Sequence, residues 1–473
     1  MATGAFLFVL VSMFLVSIPV NSKEVCQAFC DGEDSGRATL VRNATKETFS
    51  GRILTLSISE SLDMAFASLE RAEVNDQVWL DRSFDSGKNW EDDSKLGLKT
   101  VPAGQSQATT DLFNVDDTAV ISGIGAVRAC ARVGTDTVCS TWARSEFMSE
   151  TPIKAAVTTL MQFYKEDGLW QTVGWWNAAN CFTAMLDYFR LSKDNFYIRV
   201  VEDSYVKNLE GWWGNFTSDA LDDVAWWALA WVDAYDLTGN KTYLDMAILD
   251  AEHIVAYRDD ICGDGIWWNI YRKYKNAITN ELYIKLAAQL HNRLPGDTKY
   301  LNEAVELFDW FVGSGMINQE NLINDGLTDA CLSNNDTTWT YNQGVILGAA
   351  VELAQATQDN KYLTKAREIA DAVIGSSKLS PAGILREPCE DWTQLCDGDQ
   401  SSFKGIFLRN LAELNRVLPN KPYQTYLENQ VRSNYENNRN SMNQHGLHFA
   451  GPFDYPDANR QHSVVDAYVA TLP

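Results

Sequence analysis

Pairs of adjacent carboxylates are the residues of this sequence best suited to acid–base chemistry. The chain contains four Asp-Asp pairs: Asp92-Asp93, Asp116-Asp117, Asp222-Asp223 and Asp259-Asp260. Three of them lie in segments that favour exposed loops or helix ends, where solvated charge is the ordinary explanation. The pair at 222 differs because it directly precedes the apolar stretch Val224–Val232, which predicts a helix buried on all sides.

Two like charges at the start of a buried helix are unfavourable unless they share protons or serve a function. We expect Thr217 or Ser218 to cap this helix, which places both carboxyl groups near its positive end. That end favours one ionised carboxylate, while repulsion raises the apparent pKa of the other, so the pair titrates as a unit. One protonated and one ionised carboxyl group is the state that glycosidic bond cleavage requires. A capping role without catalysis is the alternative.

Polar and aromatic residues also mark the starts of the other apolar helices. One polar helix start is ordinary capping, whereas five at hairpin spacing predict a polar, aromatic cleft that binds an oligosaccharide. Aromatic rings stack on the apolar faces of sugars, and amides or carboxylates bind their hydroxyls. For one Trp of each Trp pair we expect core packing instead. The predicted substrate-binding residues are Trp175, Trp176, Asn180, Asn276, Asn280, Tyr341, Asn342, Gln343 and Asp399.

A repeated turn pattern indicates which elements position these residues. Each turn ends in a tyrosine, and Tyr243, Tyr300, Tyr362 and Tyr423 lie 57, 62 and 61 residues apart. That period is one helical hairpin with its loops, and close to six such hairpins fit into residues 149–473. We therefore predict a mainly α-helical (α/α)6 barrel, in which the inner helices begin on one face. An open helical solenoid is the alternative.

The segment before the helices has the character of β-structure. Leu54, Leu56 and Ile58 alternate with polar residues, which is strand periodicity. Ser83–Trp90 resembles the Asp-box of hairpin turns, in which the Asp closes the turn and Gly permits it, and we assign it no chemistry. Residues 26–148 are therefore predicted to form a small N-terminal β domain of unknown role.

The nine cysteines suit an oxidising compartment. We predict disulfides between Cys130 and Cys139, across a hairpin, and between Cys389 and Cys396. Cys26/Cys30 is another close pair and Cys262/Cys331 a possible long one, which leaves Cys181 as a buried thiol. The cysteines are scattered and the chain has only five His, so no metal site or cofactor is predicted.

Residues 1–22 resemble a signal peptide, although the basic start is missing. Their apolar run is short for a membrane span, and Asp466 interrupts the C-terminal segment, which therefore does not resemble a lipid-anchor signal. We expect a secreted protein, extracellular or in a cell wall, without stable membrane insertion. Glycosylation sequons that agree with secretion begin at Asn43, Asn215, Asn240 and Asn335.

The net charge of −24, without any basic run, excludes nucleic acid and anionic membranes as natural partners. A neutral polymer remains a suitable partner, because an acidic surface neither attracts nor repels it.

Four ordered blocks of the sequence carry a family resemblance. They are Leu221–Ala230, Cys262–Asn269 followed by Tyr274–Glu281, Trp339–Gly344 and Asp399–Phe407. Together they resemble glycoside hydrolase family 76, the endo-α-1,6-mannanases, and the first block is similar to the catalytic segment of that family. The resemblance covers roughly residues 150–460 and leaves the β domain outside the family core.

The resemblance implies an (α/α)6 fold and retaining cleavage of internal α-1,6 bonds in α-mannan or a mannose-rich oligosaccharide. It assigns the nucleophile to Asp222 and the acid/base to Asp223. Retention needs carboxyl groups about 5 Å apart, which adjacent residues satisfy more easily than the longer distance of inversion. Two alternatives remain: a transglycosidase acting on the mannose core of cell-wall glycoproteins, and a non-catalytic mannan-binding protein.

Overall fold

The computed structural model describes residues 31–85, 87–90, 95–117, 124–145, 151–211, 213–391 and 396–473. The predicted signal peptide, the pair Cys26/Cys30 and the pair Asp92-Asp93 lie outside the described residues. Within the described ranges, no helix is both long enough and apolar enough to cross a membrane.

Two antiparallel sheets form the N-terminal part of the molecule. The first has the order β1-β2-β3-β6 with β7 also paired to β3, and the second has the order β5-β4-β8-β9. The strands are β1 (Val41–Phe49), β2 (Arg52–Ser59), β3 (Met64–Glu70), β4 (Gln77–Ser83), β5 (Leu96–Thr100), β6 (Gln107–Thr109), β7 (Phe113–Asn114), β8 (Ala126–Val133) and β9 (Asp136–Cys139).

The two sheets share one hydrophobic core. Leu54, Leu56 and Ile58 of β2 are fully buried in it, against residues such as Leu80 of β4 and Ala129 of β8. These three side chains alternate along the strand, as the sequence pattern requires of a strand with one face on a core.

Twelve helices follow in the described part of the chain. They are α1 (Pro152–Met161), α2 (Trp175–Ser192), α3 (Val200–Asn208), α4 (Leu221–Thr238), α5 (Lys241–Val255), α6 (Ala277–Arg293), α7 (Lys299–Gly313), α8 (Thr340–Thr357), α9 (Lys361–Gly375), α10 (Phe403–Val417), α11 (Gln424–Asn437) and α12 (Ala458–Ala470).

The even-numbered helices, which we call the central helices, pack against one another in sequence. α2 contacts α4, α4 contacts α6, α6 contacts α8, α8 contacts α10, α10 contacts α12, and α12 contacts α2 again. The central helices are buried nearly all round, whereas α5, α7, α9 and α11 bury one side only. The protein is thus mainly helical with an N-terminal strand region, and its helices divide into buried and amphipathic ones.

Three disulfides link described cysteines. Cys130 lies directly opposite Cys139 in the β8–β9 hairpin and is bonded to it, and Cys389 is bonded to Cys396. The long pair Cys262–Cys331 is bonded as well, which joins the loop before α6 to the loop before α8. Cys181 is a free, buried thiol, as predicted.

Buried side-chain amides fasten the loops to three central helices. The fourth residue of the helix is Asn280 in α6, Gln343 in α8 and Gln461 in α12. The amide oxygen of Gln343 accepts the backbone N–H of Ile323 at 2.7 Å, and its nitrogen donates to the Ile323 carbonyl at 2.8 Å. Asn280 forms the same two bonds with Ile266, and Gln461 accepts the N–H of His445.

Replacing Gln343 by Ala should lower the free energy of unfolding by about 1–3 kcal/mol, because the N–H and carbonyl of buried Ile323 lose their partners. Chemical denaturation of the purified protein measures the change. Gln355→Ala is the matched control, since Gln355 is exposed on the same helix. Equal effects of the two substitutions would contradict a clamping role for Gln343.

Candidate active site

The helix start that carries Asp222 and Asp223 is held by backbone rather than by a capping side chain. The helix begins at Leu221, and the residue before it, Ala220, provides no side-chain cap. The N–H of Leu221 donates to the carbonyl of Trp268 at 2.8 Å, and Ala220 pairs with Asn269. The loop before α6 therefore fixes the position of this helix start.

The expected cap by Thr217 or Ser218 is wrong. The Ser218 hydroxyl accepts the N–H of Ala220, one residue before the helix, and the Thr217 hydroxyl donates to the carbonyl of Gly214. Both residues shape the preceding turn, because the chain reaches the helix in an extended segment that already pairs with residues 268–269.

Burial is the main cause of a raised pKa in both carboxyl groups of the pair. It raises the pKa of Asp222 to about 7, against opposing hydrogen bonds from the backbone N–H groups of Asp222 and Asp223 and from the Trp268 side chain. The pKa of Asp223 is raised well above its usual range, first by burial and then by the charges of Asp222, Asp399 and Asp219. The two side chains are partly exposed, so they lie where a ligand can reach them.

The hydrogen bonds distinguish the two carboxyl groups. The N–H of Asp223 donates to Oδ1 of Asp222 at 3.1 Å, which favours the ionised form of Asp222. No such bond lowers the pKa of Asp223, whose neighbours instead oppose its ionisation. Asp222 is therefore the first of the pair to lose its proton, and Asp223 the one that retains it.

Aromatic rings form one side of the site. Trp176 of α2 stacks on Trp226 of α4, with ring centroids 5.7 Å apart, and Tyr341 stacks on Phe403 at 3.8 Å. Trp176 also lies 6.2 Å from Phe403, so the two stacks are contiguous. The pKa of Tyr341 is raised by burial and by carboxylates that include Asp222 and Asp399, which places Tyr341 at the same end of the helices as the Asp pair.

The other Trp of each pair faces away from the site. Trp175 packs on Phe216 and on Trp227, with centroids 6.0 and 4.9 Å apart, and the indole nitrogens of Trp175 and Trp227 are buried. This agrees with the expectation that one Trp of each pair serves core packing.

Asp399 joins the site through Trp176 and Asn177. The indole N–H of Trp176 donates to Oδ1 of Asp399 at 3.1 Å, and the Asn177 amide also bonds this carboxylate. Burial raises the pKa of Asp399, and its charge in turn raises that of Asp222 and Asp223.

A buried series of hydrogen bonds continues from Asn177 to Ser402, His462 and Asp466. Nδ2 of Asn177 donates to the Ser402 hydroxyl at 3.3 Å, Nε2 of His462 lies 3.0 Å from that hydroxyl, and Nδ1 lies 3.3 Å from Asp466. All four side chains are buried. The Ser402 hydroxyl is already bonded to Asn177, Asn459 and His462. We therefore assign Ser402 no role as a nucleophile, and the series supports Asn177 and thereby Asp399.

Four of the predicted substrate-binding amides bond to the protein itself. Asn276 accepts the N–H of Thr279 as the N-cap of α6, and Asn280 and Gln343 hold the loops at Ile266 and Ile323. The fourth, Asn180, donates to the carbonyl of Trp176 and receives a hydrogen bond from Arg409. These side chains are buried and position the neighbouring residues.

Asn342 has a different environment. It is fully buried, yet neither its amide nitrogen nor its oxygen has a hydrogen-bond partner of normal length in the described part of the protein. The amide lies near Asp325, whose ionised form it favours, and Asp325 accepts the Tyr274 hydroxyl at 2.6 Å. The polar atoms of Asn342 are thus not used by the described residues.

Glu281, Asp325 and Trp268 also belong to this site, although they are not among the residues predicted from the sequence. Both carboxylate oxygens of Glu281 are buried without a hydrogen-bond partner among the described residues, and burial followed by the charge of Asp325 raises its pKa well above the usual range. Trp268 is 39% exposed and its side chain bonds Asp222. The Trp267-Trp268 dipeptide is the only sequence signal, because Trp267 is held by Asp259 and leaves Trp268 to face the site.

The other described Asp pairs are structural. The expectation of solvated charge is wrong for Asp116, which is buried and forms an ion pair of 2.9 Å with buried Arg144. Asp259 is only partly exposed and bonds Lys275 at 2.8 Å. In both pairs a cation compensates the buried charge, and such a cation is missing among the groups that shift the pKa of Asp222 and Asp223.

Residues 150–470 match the model of glycosyl hydrolase family 76. The chain belongs to glycosyl hydrolase family 76. This confirms the resemblance noted in the sequence.

The chain is also similar in sequence to individual proteins named as mannan endo-1,6-alpha-mannosidases. The chain is 28% identical over 295 residues to mannan endo-1,6-alpha-mannosidase DCW1 of Eremothecium gossypii, an alignment that covers 55% of this chain and 64% of that protein. The chain thus matches less than two thirds of that relative.

Solved structures show the shared fold. The GH76A alpha-1,6-mannanase from Salegentibacter sp. HEL1_6 superposes with a TM-score of 0.62 at 23% identity and covers 68% of this chain and 98% of its own. An inactive variant of that enzyme, in which two neighbouring aspartates are replaced, has been solved in complex with alpha-1,6-mannotetrose. It gives a TM-score of 0.61 at 23% identity, with the same shares of the two chains covered.

The raised pKa of Asp222 makes this site unfavourable for stability at neutral pH. In the unfolded chain an Asp ionises near pH 4, whereas Asp222 retains its proton in the folded protein up to about pH 7. The folded state therefore binds more protons between these values, and stability falls as the pH rises through this window. Asn cannot ionise, so the Asp222→Asn variant should melt higher than wild type at about pH 8, by roughly 2 °C or more, and no higher at about pH 4.

Thermal melts of both proteins across this range measure the difference, and Asp245→Asn on the exposed face of α5 is the control. A melting difference that is absent at neutral pH, or that grows towards acid pH, would show that Asp222 is not desolvated in the folded protein.

Proposed function

We propose that this protein is a secreted, retaining glycoside hydrolase that cleaves internal α-1,6-mannosidic bonds of mannan, with Asp222 as nucleophile and Asp223 as general acid and base. The observation that carries the proposal is the unequal environment of two adjacent, desolvated carboxyl groups. Asp222 receives backbone N–H groups and the Trp268 side chain, whereas Asp223 is surrounded by negative charge. One ionised and one protonated carboxyl group is the starting state of retaining cleavage.

In the proposed reaction, ionised Asp222 attacks the anomeric carbon while Asp223 gives its proton to the leaving oxygen. A carboxylate oxygen of Asp222 is then bonded to the anomeric carbon as the ester of the mannosyl-enzyme. The glycosidic bond is broken, and Asp223 is ionised. Asp223 next takes a proton from water, which attacks the anomeric carbon and releases Asp222. Asp223 thus alternates between acid and base, and its high pKa suits the first of these tasks.

We propose an (α/α)6 barrel as the frame of this site, with six central and six peripheral helices. Two observations support it. The central helices contact one another in a cyclic order, and residues of α2, α4, α6, α8 and α10 together line one small cavity between them. The β domain, residues 26–148, is proposed to be separate from this catalytic barrel, residues 149–473, because each part has its own hydrophobic cluster.

We assign direct mannose contacts to Trp176, Tyr341, Asn342 and Asp399. The two rings are partly exposed beside the Asp pair, and Asn342 has unused polar atoms. Asn180, Asn276, Asn280 and Gln343 position loops and neighbouring residues, and Trp175 packs in the core. The complex of the Salegentibacter variant with alpha-1,6-mannotetrose supports the linkage, since that protein shares the fold.

Passage through a secretory pathway is part of the proposal. It is supported by the disulfides and by the positions of Asn43, Asn215, Asn240 and Asn335, which are all exposed. A glycan can therefore be attached at each sequon without disturbing the core.

Asp222→Asn and Asp223→Asn should each fold and each lower turnover on debranched α-1,6-mannan by at least ~10²-fold, since each removes a reacting carboxyl group. Asp245→Asn is the control and should retain wild-type turnover. Near-normal activity of Asp222→Asn would place the catalytic pair elsewhere.

Product analysis separates the alternatives. NMR of early wild-type products should show the α-anomer first, and short α-1,6-mannooligosaccharides should accumulate in water. If β-mannose appears first, the enzyme inverts. Transfer of mannosyl groups to added acceptors without net hydrolysis identifies a transglycosidase, and binding without any bond cleavage identifies a mannan-binding protein.

A further inference from the structure

The N-terminal sheets carry an open cavity of about 520 Å³ that the proposed catalysis does not use. It is lined by Arg82, Ser83, Phe84, Asp85, Asn89, Trp90 and Leu96. The volume lies in the range of small-ligand sites in proteins. Two of the lining side chains are large exposed apolar residues, Phe84 at 42% and Trp90 at 36%.

The turn that presents these rings is fixed by its own hydrogen bonds. Oδ1 of Asp85 accepts the backbone N–H of Asn89 at 2.8 Å and the Ser83 hydroxyl at 2.7 Å, and Oδ2 accepts the Asn89 side-chain amide. Asp85 thereby closes the turn, as the Asp-box resemblance predicts. Phe84 and Asn89 are consequently held at defined positions on the two sides of the turn.

The ring of Trp90 is held by contacts with Arg128 and Trp142. The guanidinium of Arg128 lies 4.3 Å from its ring centroid and 4.7 Å from that of Trp142, and Arg128 is itself paired with Asp81 at 2.9 Å. Gly87 has φ of +83°, and a Cβ there would lie 2.5 Å from Nε1 of Trp142, so the turn rests directly on Trp142. A ring fixed in this way binds a ligand with little loss of side-chain entropy.

The chemistry of the lining suits a neutral sugar. Exposed aromatic rings offer flat apolar surfaces for the C–H faces of a pyranose, and the amide of Asn89 and the carboxylate of Asp85 stand beside them for its hydroxyls. The net charge of −24 disfavours polyanions such as nucleic acid.

This cavity belongs to a unit that contacts the catalytic end of the helices. The carbonyl of Trp142 accepts the Ser441 hydroxyl at 2.6 Å, and the N–H of Arg144 donates to the Ser441 carbonyl. Ser441 lies in the segment between α11 and α12, and the first turn of α12 contacts Ser402 at the start of α10. The strand region therefore packs against a loop at the end of the helices where Asp222 lies.

We propose that the cavity around Phe84, Asn89 and Trp90 is a second saccharide site that holds mannose units of the polymeric substrate while another stretch of the chain occupies the Asp222–Asp223 site. The assignment rests on the proposed function for the identity of the sugar. Its consequence is an advantage for long chains only, because a short oligosaccharide cannot occupy both sites at once.

Binding is measured with the full-length Asp222→Asn protein, which leaves the polymer intact. The substitution Trp90→Ala or Phe84→Ala is introduced into this Asp222→Asn protein. In affinity electrophoresis with debranched α-1,6-mannan, either substitution should weaken the affinity for mannan about tenfold, as expected for the loss of an aromatic anchor. Phe196→Ala is the matched control, since Phe196 is 54% exposed in the segment after α2, at the far end of the helices. It should leave retention unchanged.

Kinetics of the otherwise wild-type enzyme separate this inference from the catalytic proposal. Trp90→Ala and Phe84→Ala should raise KM on long mannan about tenfold and leave kcat/KM on α-1,6-mannotetraose unchanged. Phe84→Ala serves as the second variant because its ring does not take part in the Trp90–Arg128–Trp142 contacts.

Unchanged mannan retention by both variants would overturn the second site. Cleavage of mannotetraose by the wild-type enzyme would still support the proposed function in that case. Equal loss on long and short substrates would also overturn it, since it would reveal an effect on the catalytic site. Absence of any mannotetraose cleavage by wild type would refute the proposed function, and Trp90-dependent retention on mannan would then still support the saccharide site. A wild-type protein that neither cleaves nor retains mannan would refute both.

Discussion

The partial removal of two adjacent carboxyl groups from water, without a compensating cation in the described part of the protein, is the constraint on which the rest of this structure depends. Asp116 and Asp259 each have an Arg or Lys partner. Asp222 receives hydrogen bonds from the backbone of its helix start and from the Trp268 side chain, whereas the charged groups that act on Asp223 are all carboxylates. Such a pair keeps a proton at neutral pH because ionising both groups would leave two like charges in a poorly solvated place. The frame must be rigid to hold both carboxyl groups in this poorly solvated place while leaving them open to a ligand.

The rigidity comes from loops that are bound to helices at both ends. Leu221 is fixed to Trp268, Ile266 is fixed to Asn280 of the next central helix, and the disulfide of Cys262 continues to the loop before α8. The loop that orients the Asp pair therefore belongs to the packing of three successive helix pairs. A polar side chain in the first turn of a central helix can position another loop as effectively as it can bind a ligand.

This dual use explains what the sequence could and could not predict. The apolar stretch after Asp222 and the tyrosine spacing predicted the buried helix and the alternation of central and peripheral helices, because both depend on local periodicity. An amide at a helix start has the same sequence pattern whether it bonds a backbone, as Asn280 does, or remains unpaired, as Asn342 does. The Ser402–His462–Asp466 series and the approach of Trp268 to Asp222 arise from segments far apart in the chain, so spacing alone could not reveal them.

The most direct test of the central claim is to trap the covalent intermediate. An α-1,6-mannobiosyl fluoride with a ring fluorine, which slows release more than attack, is incubated with wild type and with Asp222→Asn, and the proteins are digested for mass spectrometry. We expect the wild type to gain one glycosyl group on Asp222, and the variant to gain none. A label on another carboxylate, or turnover of the fluoride without any covalent label, would contradict the assignment of Asp222 as nucleophile.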